Sequence, residues 1–342
     1  MPLDQLRQAL HLRQQHNQQV ADNLERLKGL MLSAENKQDL LDALHPWGAP
    51  NSLVFHNLIA IFLYICAAIS LLTFLFIDSV SGHLLILLTS AALFGLGWLM
   101  YEPSSLVKQH VTALEHKMLS LSYQLHRHQL PTALSRQMTP VQFIRHIVSA
   151  FPVLQQGNYR NSISEFASIP LQWGEQALSA VVFRYDYEDH VERYNAQTKK
   201  YETKIIERHC WGILCLEQPT RGLIVSQSAM KKLAMPYHVE WKPTDIALNR
   251  NLNFYGASEM HLAKQLSPSL SLKLVEFFSH CQGSLNFHHE LKMCCYLTTN
   301  NLFQVANHQK NIEDISMLRG HLRTLRLAHL DHALKHLEQL LQ

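Results

Sequence analysis

His288-His289-Glu290, followed at short range by Cys294 and Cys295, is the densest group of metal-binding and proton-carrying side chains in the sequence. Imidazole and thiolate are preferred zinc ligands, and a His-Glu pair opens the helix of many zinc proteases. Met293 stands where the second histidine of such a helix belongs, so the protease reading fails on its own spacing. His288, His289, Cys294 and Cys295 remain candidate metal ligands under one restriction. Neighbours on a strand point to opposite faces, so only one residue of each pair can share a site.

Ser228-Ala229-Met230-Lys231 has the serine-lysine spacing of some acyl-transfer enzymes. Ser105-Leu106-Val107-Lys108 repeats that spacing beside a long apolar run, where catalysis has no place, which empties the pattern of weight. His329, His332 and His336 recur at three-and-four spacing beside a leucine stripe; lacking a cysteine or carboxylate to complete a ligand set, they read as a solvated or interfacial face. Cys210 and Cys215 fit neither a zinc knuckle nor a redox pair. The glycines are too dispersed for a phosphate-cradling loop, and the net charge of +3 forms no basic stripe interleaved with aromatics. No cofactor and no nucleic acid is therefore expected.

Residues 139–308 must position these groups. Thr139-Pro140 ahead of Val141, Phe143, Ile144, Ile147 and Val148 predicts an N-capped amphipathic helix. Val181, Phe183, Tyr185 and Tyr187 then alternate with polar residues, and a second strand runs from Lys200 to Leu216 beyond the turn Asn195-Ala196-Gln197-Thr198. Acids on the first limb and Lys199, Lys200, Lys204 and Arg208 on the second suggest charge-assisted pairing. Later strands at 252–255, 284–289 and 293–298 and a helix over 268–280 make this an α+β domain.

The stretch Asn253-Phe254-Tyr255-Gly256-Ala257-Ser258-Glu259, then Leu266-Ser267-Pro268-Ser269-Leu270 and Leu274-Val275-Glu276-Phe277 before two closing strands, resembles a family of bacterial two-span membrane proteins known only as a domain of unknown function. Ser267 and His261 depart from its usual pattern of Thr and an aromatic or basic residue. The resemblance covers roughly residues 50–305 and implies a membrane location and an α+β domain after a hairpin; it implies no reaction.

Ahead of that domain, residues 53–101 hold two apolar runs, 53–77 and 83–101, joined by a polar link whose Asp78 is their one charge. They read as a transmembrane helical hairpin. Lys37 lies upstream and Lys108 and Lys117 downstream, with no Lys or Arg between Lys37 and Lys108. This bias predicts a bacterial inner-membrane protein with both termini in the cytoplasm, in keeping with cysteines that suggest no disulfide framework. Ala67, Ala68, Ala91, Gly95 and Gly97 are the small residues expected to pack the hairpin.

Helical arms flank it. Leu3, Leu6, Leu10, Val20, Leu24, Leu27 and Met31 form a heptad-like seam within residues 1–45, interrupted by Arg13 and Asn17, which would loosen its distal end. Val107, Val111, Leu114, Met118, Leu121 and Leu125 repeat the steps within 104–130, and pairing of the two arms into a coiled-coil-like stalk is expected. Residues 311–342 read as one amphipathic helix. With no catalytic set assembled, the sequence suggests a membrane-anchored module that binds another protein or itself through its helical arms, in contact with lipid. A membrane-tethered hydrolase or metal-dependent enzyme and an accessory subunit of a transport complex are the alternatives.

Overall fold

The computed structural model of the chain describes residues 15–48, 50–74, 80–173, 176–195, 197, 199–230, 233–244, 246–306 and 311–342. Leu3, Leu6, Leu10 and Arg13 of the first arm, Asp78 of the link, Ala196 and Thr198 of the turn, and Lys231 lie outside them. Two units divide the chain, one within Met1–Leu121 and Asn307–Leu325, the other within Ser122–Ala306 and Arg326–Gln342.

In the first unit, α1 (Gln15–Ser33) is followed by α2 (Lys37–Ala43), which Asn36 and Asp39 open as a capping box. The first apolar run turns helical only at α3 (Leu58–Thr73), five residues later than its hydropathy predicts, and asparagines are the reason. Asn17 donates to the His56 carbonyl at 2.9 Å and accepts from the His56 N–H at 2.8 Å. Asn23 donates to the carbonyls of Pro50 and Ser52 and accepts from the Trp47 indole. With Leu53 N–H bound to the Glu313 carbonyl and Ile315 N–H to that of Asn51, residues 51–56 are held outside the helix. Backbone groups already bonded this way cannot enter a helical ladder. Asn17, expected to loosen the arm, is thus a buried clamp.

Beyond it, α3 and α4 (Val80–Met100) pack side by side, antiparallel. Tyr64 meets Phe94, the Ser90 hydroxyl donates to the Ala67 carbonyl, and Asn57 holds the Glu102 backbone through both its amide atoms. The helical hairpin is therefore present, with its first helix shorter than expected. α5 (Ser105–Tyr123) leads out, and Leu27 and Met31 of α1 line a small cavity with His110 and Leu114 of α5.

The second unit is built on a mixed-length, nine-stranded sheet in the order β1-β2-β3-β4-β9-β8-β5-β7-β6, antiparallel throughout. The strands are β1 (His126–Arg127), β2 (Arg160–Trp173), β3 (Gln176–Asn195), β4 (Lys200–Leu216), β5 (Leu223–Ser226), β6 (Val239–Trp241), β7 (Asn253–Gly256), β8 (Ser284–Phe287) and β9 (Met293–Thr298). A short helix α6 (Thr132–Ser135) precedes α7 (Pro140–Ala150), where Thr139 and Gln142 form the predicted capping box. Phe143 and Ile147 of α7, with Phe151, bury one face of the sheet at Phe183, Leu214 and Cys295. After α8 (Ile246–Asn251) and α9 (Glu259–Gln265), α10 (Pro268–His280) covers the other, where Phe277 meets the edge of Tyr296. Gly212 leaves room for the Phe183 ring of the neighbouring strand, which a Cβ at that position would overlap.

The β3/β4 hairpin follows the predicted limbs, but charge does not align it. Arg193 opposes Glu202, yet Glu188 faces Glu207, and the nearest cation to Glu188 is Arg160 of β2, at 3.3 Å. Alternating apolar residues set the register instead.

The expected single helix over 311–342 is two: α11 (Ile315–Thr324), in the first unit, and α12 (Ala328–Leu341), in the second. Leu325 is extended, Arg326 pairs with Ala306 in an isolated bridge, and the Leu327 N–H goes to the Tyr123 hydroxyl. The second arm likewise stops being helical at Tyr123 and not at 130, with Gln124 at a left-handed φ of 50° leading into β1.

Candidate functional site

His288 follows β8 and is spent on the turn to β9. Its Nδ1 accepts from the N–H groups of Glu290 and Leu291 at 3.0 and 2.8 Å, and its ring stands edge-on to Phe151. Burial, reinforced by His289, pulls its pKa below the usual histidine value, so the ring is neutral near pH 7. A nitrogen whose lone pair caps a turn is not offered to a metal. His289 stacks on it with centroids 4.4 Å apart, and its Nε2 lies 3.6 Å from Glu290.

Cys294 and Cys295 sit one strand residue further in, completely buried and on opposite faces of β9, with Cys294 opposite Phe287 and Cys215 and Cys295 opposite Asn286 and Leu214. Burial drives both thiols well above their usual pKa, and Cys210 and Cys215 rise to about 12 for the same reason. A protonated thiol is neither nucleophile nor ligand. These cysteines act as small apolar side chains of the core. Among the described residues, no group of three or more His, Cys, Asp or Glu is arranged to hold a metal ion.

The serine of the serine-lysine pattern, Ser228, bonds through its backbone N–H to the Ser226 hydroxyl; its lysine partner is not among the described residues. On α12, His329 is exposed while His336 is buried and stacks on His280 of α10 at 4.5 Å; His332 bonds the His280 carbonyl. The imidazoles read as a solvated or interfacial face thus lie partly in a helix-helix contact. His280 was invisible to the spacing argument because it comes from another helix.

Of the small residues in the hairpin, Ala67 and Gly97 face the partner helix: a Cβ on Gly97 would lie 3.0 Å from the Tyr64 ring and 3.3 Å from the Ala60 carbonyl. Ala68 and Ala91 are exposed, and nothing lies within 4 Å of where a Gly95 Cβ would be. Ala60 and Ser90 complete the contact and were not singled out by small-residue spacing, which does not specify the facing helix.

The outward side of the same pair is the most extensive apolar surface described. Leu58, Phe62, Ile65, Ile69 and Leu72 on α3 and Leu84, Leu85, Leu88, Phe94 and Trp98 on α4 are all more than half exposed. Monomeric soluble proteins rarely leave apolar patches of this kind to water. Within Ser81–Tyr123 lies the one helical window, among the described residues, long and apolar enough to cross a membrane; Leu58–Thr73 is apolar but shorter.

A different polar centre lies in the first unit. Glu115 of α5 and His321 of α11 meet at 2.7 Å with both side chains almost wholly buried. Glu115 sits on the stripe of Val111 and Met118, so its burial was signalled by its position, though its partner was not.

No protein family, curated protein or solved structure matches the chain.

Proposed function

We propose that the α3/α4 pair crosses the inner membrane of a bacterium and tethers the sheet domain on the cytoplasmic side, where it acts as an interaction module for another protein. The outward-facing leucines, isoleucines and aromatics of the two helices carry this reading, since lipid is the solvent in which such a surface is stable. α4 alone reaches about 32 Å at 1.5 Å per residue, and the 16 residues of α3 reach about 24 Å. The Lys bias outside the hairpin supports cytoplasmic termini.

The interaction role is supported by the β3/β4 ribbon. Beyond Glu188 it leaves β2 behind and continues as two strands, with Tyr194 against Tyr201 and Ile205 exposed along one face. A bare two-stranded ribbon is marginal in water and gains most from a partner.

Reporter fusions give the test of location: fusions at either end are to report cytoplasm and a fusion between α3 and α4 the opposite side, with the chain resisting alkaline extraction from membranes. Release by alkali would sink the reading. For the partner, pull-down from detergent is to enrich the same protein with wild type and lose it with Tyr194→Ser/Tyr201→Ser; equal recovery by both removes the ribbon from the account.

A further inference from the structure

A cavity of about 640 Å³ opens in the first unit where the helix pair ends. Leu53, Val107 and Val111 line it as buried apolar residues, Glu115 lines it beside them with its carboxylate held by His321, and its rim carries Lys108 and Glu313, both exposed. Asn57 also lines it, and this residue is the N-cap of α3 and ties the Glu102 backbone just past α4. The cavity therefore begins at the level where both apolar helices stop.

We infer that this cavity holds one bilayer phospholipid with an amine headgroup, a phosphatidylethanolamine, as a bound structural lipid. The inference rests on the membrane reading above. A lipid whose acyl chains run along the exposed faces of α3 and α4 places its glycerol and phosphate at the height of Asn57. The glycerol lies against Val107, and the ethanolamine carbons beyond the phosphate lie over Val111. Lys108 meets the phosphate, a charge-assisted contact, and Glu313 meets the ammonium. One cation and one carboxylate on the same rim suit a zwitterion; phosphatidylglycerol would satisfy Lys108 alone and leave Glu313 facing an anion.

Native mass spectrometry of the detergent-solubilised full chain, titrated with phosphatidylethanolamine or phosphatidylglycerol, tests it. Wild type is to retain one phosphatidylethanolamine, with phosphatidylglycerol held about tenfold more weakly. Val111→Trp, which fills the floor, and Lys108→Glu, an exposed change that leaves the fold alone, are each to weaken retention about tenfold. Equal retention by wild type and both variants, or equal retention of the two lipids, overturns the assignment. Alkaline extraction of the same three chains separates the two readings: membrane-bound chains with unselective adducts leave the anchor standing and remove the lipid site, whereas extraction of wild type removes both.

Discussion

Glu115 and His321 show how much can depend on one contact inside a helical unit. Both side chains are out of water, so removing either costs the other a buried hydrogen bond, whereas replacing both with apolar residues removes the polar pair together. Glu115→Leu and His321→Leu are each expected to cost about 3 kcal/mol, and the double variant much less than the sum; denaturant melts of the four proteins measure the coupling. The buried thiols give a pH signature of opposite character. Cys210 and Cys215 ionise near 12 when folded and near 9 when exposed, so the unfolded chain loses its protons first as pH rises. Their stabilising effect is complete below pH 9 and declines above it by about 1.4 kcal/mol per thiol for each pH unit up to 12. Unfolding midpoints between pH 8 and 11, compared with a Cys210→Ala/Cys215→Ala variant, are to show a steeper alkaline fall in wild type. At pH 8 the same thiols are to resist iodoacetamide until the protein is denatured.

At the level of elements, the heptad arithmetic of α1 found Val20, Leu24 and Leu27 in the core and misjudged the polar position beside them. Asn17→Leu improves the apolar stripe, yet it is expected to destabilise the protein by about 2 kcal/mol, because both His56 backbone groups lose their partner. Thermal melts of Asn17→Leu and Asn23→Leu against wild type check this. In the hairpin, Gly97→Ile is to force α3 and α4 apart and lower the melting temperature in detergent, while Gly95→Ile is to be tolerated, since only Gly97 is pressed against a neighbour. Local periodicity thus exposed the apolar helices, the capped α7 and the β3/β4 limbs. It could not reveal the non-helical residues 51–56, the break after Leu325 or the His280–His336 contact, because each is made by a partner far away in sequence.

For the whole molecule, the sequence order of segments and the order of units differ. The chain passes from one unit to the other after Leu121, returns after Ala306 and crosses again after Leu325. A boundary drawn by composition at residues 104, 139 or 311 misses this interleaving, since composition registers only neighbours. A chain ending at Ala306 would lack α11, and with it His321 and the 313–315 segment that pairs with 51–53. Its accumulation in cells is expected to fall several-fold relative to the chain that keeps α11, read by immunoblot of pulse-chased cells.

The pairing of residues 51–53 with 313–315 also sets a clock on biosynthesis. The apolar helices leave the ribosome before the whole sheet domain, whereas the segment that fixes their entrance follows it. Throughout elongation of the sheet domain, the half-built first unit has its seam open, because the residues that close it have not yet been made.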